Sequence, residues 1–257
     1  MKLNYKQVSD TGQPMIILHG VFGSLDNWAT ISKSIADAGY AVYLVDGRNH
    51  GRSSHDDEFT YPAMAADLHE FIQDHGLTNP VIVGHSMGGK TVMQYAMEYP
   101  GTYDKLAIID IGPKAYPLHH ESILDGLNAI PLAELKNRQQ ADDVFSAYEP
   151  IGAVRQFLLK NLYRTDDEGF DWRFNLPVLT RSIANVGVDI PYLRIVEEPT
   201  LFMRGANSGY VKDKDWKNIK ELFANAELST IPRAGHWVHA EQPKMFVEVL
   251  VKFLSEH

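Results

Sequence analysis

Cysteine is absent from the 257 residues. That excludes a disulfide framework, a thiolate nucleophile and a cysteine-ligated metal, and it fits a reducing compartment. A basic surplus is missing too: Lys and Arg number 24 against 33 Asp and Glu, a formal net charge of −9. An acidic chain repels phosphate backbones, so no nucleic-acid partner is expected. No apolar run approaches the roughly 20 residues of a membrane span. The opening MKLNYKQVSD lacks the apolar core of a secretory signal. These absences lead us to expect a cytoplasmic protein with no membrane partner, as a monomer or homodimer. P-loop, EF-hand and HExxH patterns are missing, and no G-x-G-x-x-G follows the first strand, so no metal or organic cofactor is implied.

What is present is a globular pattern. Apolar residues make up 44% and charged residues 22%, which argues against disorder and coiled coil. Short apolar runs alternate with amphipathic stretches. Strands are predicted over 15–18, 40–45, 81–83, 106–109, 199–203 and 227–231. Helices are predicted over 27–38, 61–75, 86–99, 216–224 and 243–254. Continuous apolar strands suit burial on both faces, and their alternation with helices implies an α/β fold with a mostly parallel central sheet. Ligands then bind at the carboxyl ends of the strands. The rhythm breaks from 113 to 198, where candidate helices fall over 132–138, 141–148 and 153–163 and no buried strand stands out. We read residues 1–112 and 199–257 as one core and 113–198 as an inserted helical cap.

Gly84-His85-Ser86-Met87-Gly88 matches G-x-S-x-G and sits between a buried strand and a helix. That context is a nucleophile elbow, a strained turn that exposes the serine hydroxyl above the sheet. The bland alternative is a tight turn with Ser86 capping a helix. A serine needs a base to take its proton. His236, in the loop after the 227–231 strand, is the candidate, with His239 as competitor. An acid must hold the imidazole in place. The loop after the 199–203 strand reads Arg204-Gly205-Ala206-Asn207-Ser208 and carries no carboxylate, while Asp213 and Asp215 fall further on. One strand earlier, 106–109 runs directly into Asp110, which is the candidate acid. Backbone donors for an oxyanion are expected from Met87 and from Val21, with Phe22 in reserve.

The segments HGVFGS (19–24), DGRNHGRS (46–53), GHSMGG (84–89) and GHWVHAE (235–241) together resemble the α/β-hydrolase superfamily over nearly the whole chain. The order Ser…Asp…His agrees with that fold. IDIGP, WRFNLPVL and GANSGYV narrow the resemblance to small bacterial esterases of the YbfF type, which carry a helical cap and act on acyl esters and acyl-CoA thioesters. The resemblance supports Asp110 as the acid and maps an accessory serine onto Ser208. It implies a small-molecule ester or thioester substrate, without a cofactor. Apolar candidates for the substrate pocket are Phe22, Met87, Phe157, Leu158, Tyr163, Trp172, Phe174, Leu176 and Trp237, and Arg173 is a candidate for an anionic head group. Arg155, Lys160 and Arg164 form a small basic stretch that would suit a CoA phosphate or simply face solvent. Two other readings use the same residues: a C–C bond hydrolase or cofactor-free haloperoxidase, and a non-catalytic ligand-binding module.

Overall fold

The computed structural model describes residues 1–117 and 120–257. The chain runs through β1 (Tyr5–Gln7), β2 (Gln13–Leu18), α1 (Ala29–Asp37), β3 (Tyr40–Val45), α2 (Tyr61–Asp74), β4 (Val81–His85), α3 (Met87–Glu98) and β5 (Lys105–Ile109). An inserted stretch follows with α4 (Glu121–Ala129), α5 (Arg138–Phe145), α6 (Gly152–Leu159), β6 (Leu162–Arg164), β7 (Phe170–Trp172) and α7 (Leu176–Ser182). The chain returns through β8 (Thr200–Gly205), α8 (Trp216–Leu222), β9 (Ala226–Ile231), α9 (Val238–Glu241) and α10 (Pro243–Glu256).

Seven strands form one sheet in the order β1-β3-β2-β4-β5-β8-β9. All neighbours are parallel except β1 against β3. Successive side chains of a strand point to opposite faces. Met15 and Ile17 of β2 therefore pack with Ile31 and Ile35 of α1 and with Phe246 and Leu250 of α10. Ile16 and Leu18 join the other layer, with Leu68 of α2, Val92 and Met93 of α3 and Ile219 of α8. Burial on both faces is why the parallel strands read as continuous apolar runs. β1 escaped the sequence reading for the opposite reason. It is an exposed three-residue edge strand held by its pairing to β3.

The connection after β2 leads to β3 on one side, and the connection after β4 leads to β5 on the other. Strand order thus reverses between β2 and β4, and the crevice at their carboxyl ends is where such sheets bind ligands. His19–Ser24 and Ser86 flank that crevice. β8 pairs with β5, so the insertion leaves and re-enters the sheet between adjacent strands.

Within the insertion, β6 and β7 form an antiparallel hairpin where the sequence had suggested only helices. The helix expected over 153–163 stops at Leu159. The buried Asn161 amide donates to the Leu158 carbonyl at 3.2 Å and to the Phe22 carbonyl at 2.8 Å. It satisfies a helix-end acceptor and turns the chain away. The helix expected over 132–138 is a short 3₁₀ turn at Leu132–Glu134, and α5 begins only after Asn137, whose side chain accepts from the Gln140 N–H at 3.1 Å. Further ties join the insertion to the core. The Asn175 N–H donates to the Asn49 carbonyl at 2.9 Å, and the Tyr61 hydroxyl donates to the Val186 carbonyl at 2.8 Å. Among the described residues no helix is long and apolar enough to cross a membrane.

The turn-rich 46–53 loop beside the crevice is held from within. Asp46 accepts from the Leu25 N–H and the Asn4 amide, each at 2.7 Å, and from the Arg52 N–H at 3.0 Å. Arg48 is buried and forks onto Asp67 at 2.6 and 2.9 Å. Breaking a buried pair leaves one charge uncompensated. Arg48→Met is expected to lower stability by about 3–5 kcal/mol. Urea unfolding measures this, and a loss below about 1 kcal/mol would show that the pair does not anchor the loop.

Candidate active site

Ser86 joins β4 to α3 at φ 53°, ψ −115°, and its side chain makes no helix-capping hydrogen bond. A non-glycine residue in that region is strained, and strain of this kind persists only where packing enforces it. Here the enforcement is steric. A side-chain carbon at Gly84 would lie 2.3 Å from the Gly88 carbonyl oxygen, and one at Gly88 would lie 2.6 Å from the His19 carbonyl oxygen. Only glycine at both positions lets the turn close this tightly. Ser86 therefore does not cap the helix; it is largely buried and borders a cavity.

Asp110 follows β5 at φ 51° and is fully buried. Its Oδ1 accepts from the Gly205 N–H at 3.1 Å. Its Oδ2 lies 2.8 Å from His236 Nδ1 and also accepts the Ser208 hydroxyl. The carboxylate that meets His236 is thus Asp110. Asp213 is paired with Arg204 at 2.6 Å and Asp215 with Lys114 at 2.5 Å. His239 borders the same crevice but is buried and stacked on Trp28 with centroids 4.0 Å apart, and among the described residues its Nδ1 meets no carboxylate.

Three further groups hold His236, and the sequence reading missed their parts in this. The Tyr210 ring stacks on the imidazole at 4.0 Å and 19°. His85 Nε2 bonds the His236 carbonyl at 2.9 Å. The Glu241 carboxylate accepts the Gly235 N–H at 2.8 Å and the Trp237 N–H at 3.2 Å, bracing the loop on either side of His236. An acid in the first turn of the following helix was a visible signal for Glu241. Tyr210 left none, because its value lies in a contact across the fold.

Ser86, His236, Val21, Phe22 and Trp237 line one cavity of about 290 Å³. Its other walls include Ile123 of α4 and Val154, Phe157 and Leu158 of α6. The Phe22 N–H donates to His50 Nε2 at 3.1 Å, which takes the reserve oxyanion donor out of contention. Met87 is the first residue of α3, so its N–H has no partner within the helix. The side chain of Met87 lies in a small recess beside the cavity. The expectation for Trp172 and Arg173 needs correction. Trp172 stacks on Phe174 at 5.1 Å, and Phe174 packs on Phe22, so both form a layer behind the wall. The Arg173 guanidinium sits 4.7 Å from the Tyr163 ring centre. Tyr163 and Leu176 likewise lie outside the lining. The basic stretch is broken up as well. Arg155 is paired with Asp142 at 2.8 Å, and Arg164 lies over Phe170.

A family model described as the alpha/beta hydrolase fold matches residues 13–243. The chain belongs to the α/β-hydrolase family. A putative esterase/lipase of Haemophilus influenzae is 37% identical over 99% of this chain and 89% of its own. Esterase YbfF of Escherichia coli is 35% identical over the full length of both. The mouse sn-1-specific diacylglycerol lipase ABHD11 is 35% identical over 94% of this chain and 80% of its own. A solved marine microorganism esterase superposes with a TM-score of 0.95 at 41% identity, covering 98% of this chain and 99% of its own.

Around the site of this α/β-hydrolase the buried histidines are held neutral. Burial, with the neighbouring His19 second, pushes His50 down to about 3. Burial and then His236 push His239 down to about 3. Burial holds His85 well below the usual imidazole range, with His236 and His239 adding to it. Burial also lowers His19, whose Nδ1 meets the Gly20 carbonyl at 2.7 Å while its Nε2 accepts from the Gly47 N–H at 3.0 Å. Each of these rings takes up a proton near pH 6.5 once the chain unfolds. Stability is therefore full above about pH 6.5 and falls as the pH drops towards the depressed folded values, by at most about 1.4 kcal/mol per pH unit for each ring. Urea unfolding between about pH 7 and about pH 4.5 is expected to show this loss, and His50→Gln to flatten it. An equal slope in the variant would exclude His50 as a contributor.

Proposed function

We propose that the chain is a serine esterase cleaving small to medium acyl esters through an acyl-serine intermediate. The Asp110–His236 contact of 2.8 Å, with Ser86 and His236 on one cavity, carries this reading. The Ser86 hydroxyl attacks the acyl carbonyl carbon and its proton passes to His236 Nε2. The backbone N–H groups of Val21 and Met87 stabilise the oxyanion. His236 Nδ1–H donates to Asp110, which keeps the tautomer and stabilises the imidazolium. The C–O bond breaks, the leaving alcohol takes the proton, and water repeats the sequence on the acyl-enzyme. Ser208 acts as an accessory donor that holds Asp110.

Residues 113–198 serve as a cap that supplies the acyl-facing wall. The cavity of about 290 Å³ is walled by Val21, Phe22, Ile123, Val154, Phe157 and Leu158, apolar side chains that suit an acyl group. That supports short and medium acyl chains. The same acyl-serine route accommodates thioesters. A CoA moiety, however, would find Arg155 already committed to Asp142. Ester hydrolysis is also what the names of the esterase and lipase relatives describe.

Initial rates on p-nitrophenyl esters from C2 to C16 and on matched acyl-CoAs test the reading. Ser86→Ala is expected to lower turnover by about 10⁶. Near-normal turnover in that variant would falsify the serine mechanism. Ser208→Ala removes one donor to Asp110 and is expected to lower kcat about tenfold. An unchanged kcat would leave Ser208 without an accessory role. Turnover of diketones in place of esters would move the assignment to C–C bond hydrolysis, and stoichiometric ligand binding without turnover to a binding module.

A further inference from the structure

Tyr210 and Tyr116 stand outside the reaction steps described above, yet they form a continuous path from the root of the insertion to the imidazole. Tyr116 lies just after β5, where the chain leaves the sheet. Its hydroxyl accepts the Gly112 N–H at 2.8 Å and donates to the Tyr210 carbonyl at 2.9 Å. The two rings are 5.4 Å apart. The Tyr210 N–H bonds Ser208 Oγ at 3.3 Å, and Ser208 in turn donates to Asp110. The Tyr210 backbone is thus fixed from both sides, and its ring lies over the His236 face. Tyr116 is itself packed under the buried Lys90, whose Nζ sits 5.0 Å from the ring centre and donates to the Lys114 carbonyl at 2.8 Å and to the Val188 carbonyl. Lys114 lies at the start of the insertion and Val188 in the stretch that follows α7, so one ammonium joins these two segments beside Tyr116.

We infer that Tyr210 is a positioning residue for His236, and that Tyr116 couples the seating of the cap to it. An aromatic face attracts a cation stacked on it. The imidazole is neutral before attack and positively charged in the transition state, so this attraction is stronger where it lowers the barrier. The stack also stops the ring from turning about the Asp110 bond. Burial, with the Asp110 charge second, raises the Tyr210 phenol, which keeps the stacking ring neutral. This inference rests on the proposed serine mechanism.

The test is a double-mutant cycle on the full chain, with kcat and KM measured separately on one p-nitrophenyl ester. Tyr210→Leu is expected to lower kcat about tenfold with KM within about twofold. Tyr210→Phe keeps the ring and is expected to restore nearly all of it. Tyr116→Phe removes one hydroxyl and is expected to lower kcat about threefold. Placed in the Tyr210→Leu background, it is expected to cost nothing more, because its effect passes through Tyr210. Fully additive losses would overturn the coupling. An unchanged kcat in Tyr210→Leu, or a loss that Tyr210→Phe shares, would overturn the positioning role. If Tyr210→Leu does not fold, Tyr210→Met, which also removes the ring, takes its place in the cycle, with the same expected losses and the same overturning results. These outcomes are distinct from failure of the mechanism, which a fully active Ser86→Ala would reveal.

Discussion

A carboxylate removed from water must find its hydrogen bonds inside the protein, and Asp110 is such a group. It is fully buried, and its oxygens are met by the Gly205 N–H, the Ser208 hydroxyl and His236 Nδ1. An uncompensated buried charge costs several kcal/mol. The fold is therefore obliged to bring β8, the loop after it and the His236 loop to the end of β5. That obligation orders much of the site. Gly205 ends β8, Ser208 lies in the next loop, and His236 comes from the loop after β9. Satisfying the charge and aligning the imidazole are one act.

The Ser86 side of the crevice depends on a different constraint, close packing of backbone. Ser86 is held at a strained φ because Gly84 and Gly88 let α3 approach the ends of β2 and β4 more closely than any side chain would permit. The reversal of strand order between β2 and β4 places that turn opposite the His19–Ser24 loop. Chain topology and local strain thus converge on one crevice. Neutral histidines line its surroundings: burial disfavours their charged forms, and the bonds of His19 and His50 to backbone groups orient those rings.

The insertion is joined to this crevice by polar ties as well as apolar contact. Asn161 holds the Phe22 carbonyl, Asn175 meets Asn49, and Lys90 joins the Lys114 and Val188 carbonyls. Each tie satisfies a backbone acceptor, and several reach loops next to Ser86 or His236. An insertion held in this way places α4 and α6 against the cavity that Ser86 and His236 border.

By itself the sequence determined what is local. Parallel strands buried on both faces have no polar side to show, so β2, β3, β4, β5 and β8 were readable as apolar runs. The elbow was readable because its glycines and serine are adjacent in the chain. The end of a strand marked Asp110, although its choice over Asp213 and Asp215 stayed open there. β1 is too short and exposed to leave a pattern, and the β6–β7 hairpin offers three residues per strand against a helical background. Tertiary structure alone decided which acid meets His236, that the Phe22 N–H is taken by His50, and that Trp172 and Arg173 lie outside the cavity lining. It alone assigned Asn161, Tyr210 and Glu241 their places. The reason is physical. A side chain's period along the chain reports which face it buries, whereas its hydrogen-bond or stacking partner is set by segments far away in sequence. Asn161 and Phe22, 139 residues apart, meet only when the whole sheet has formed.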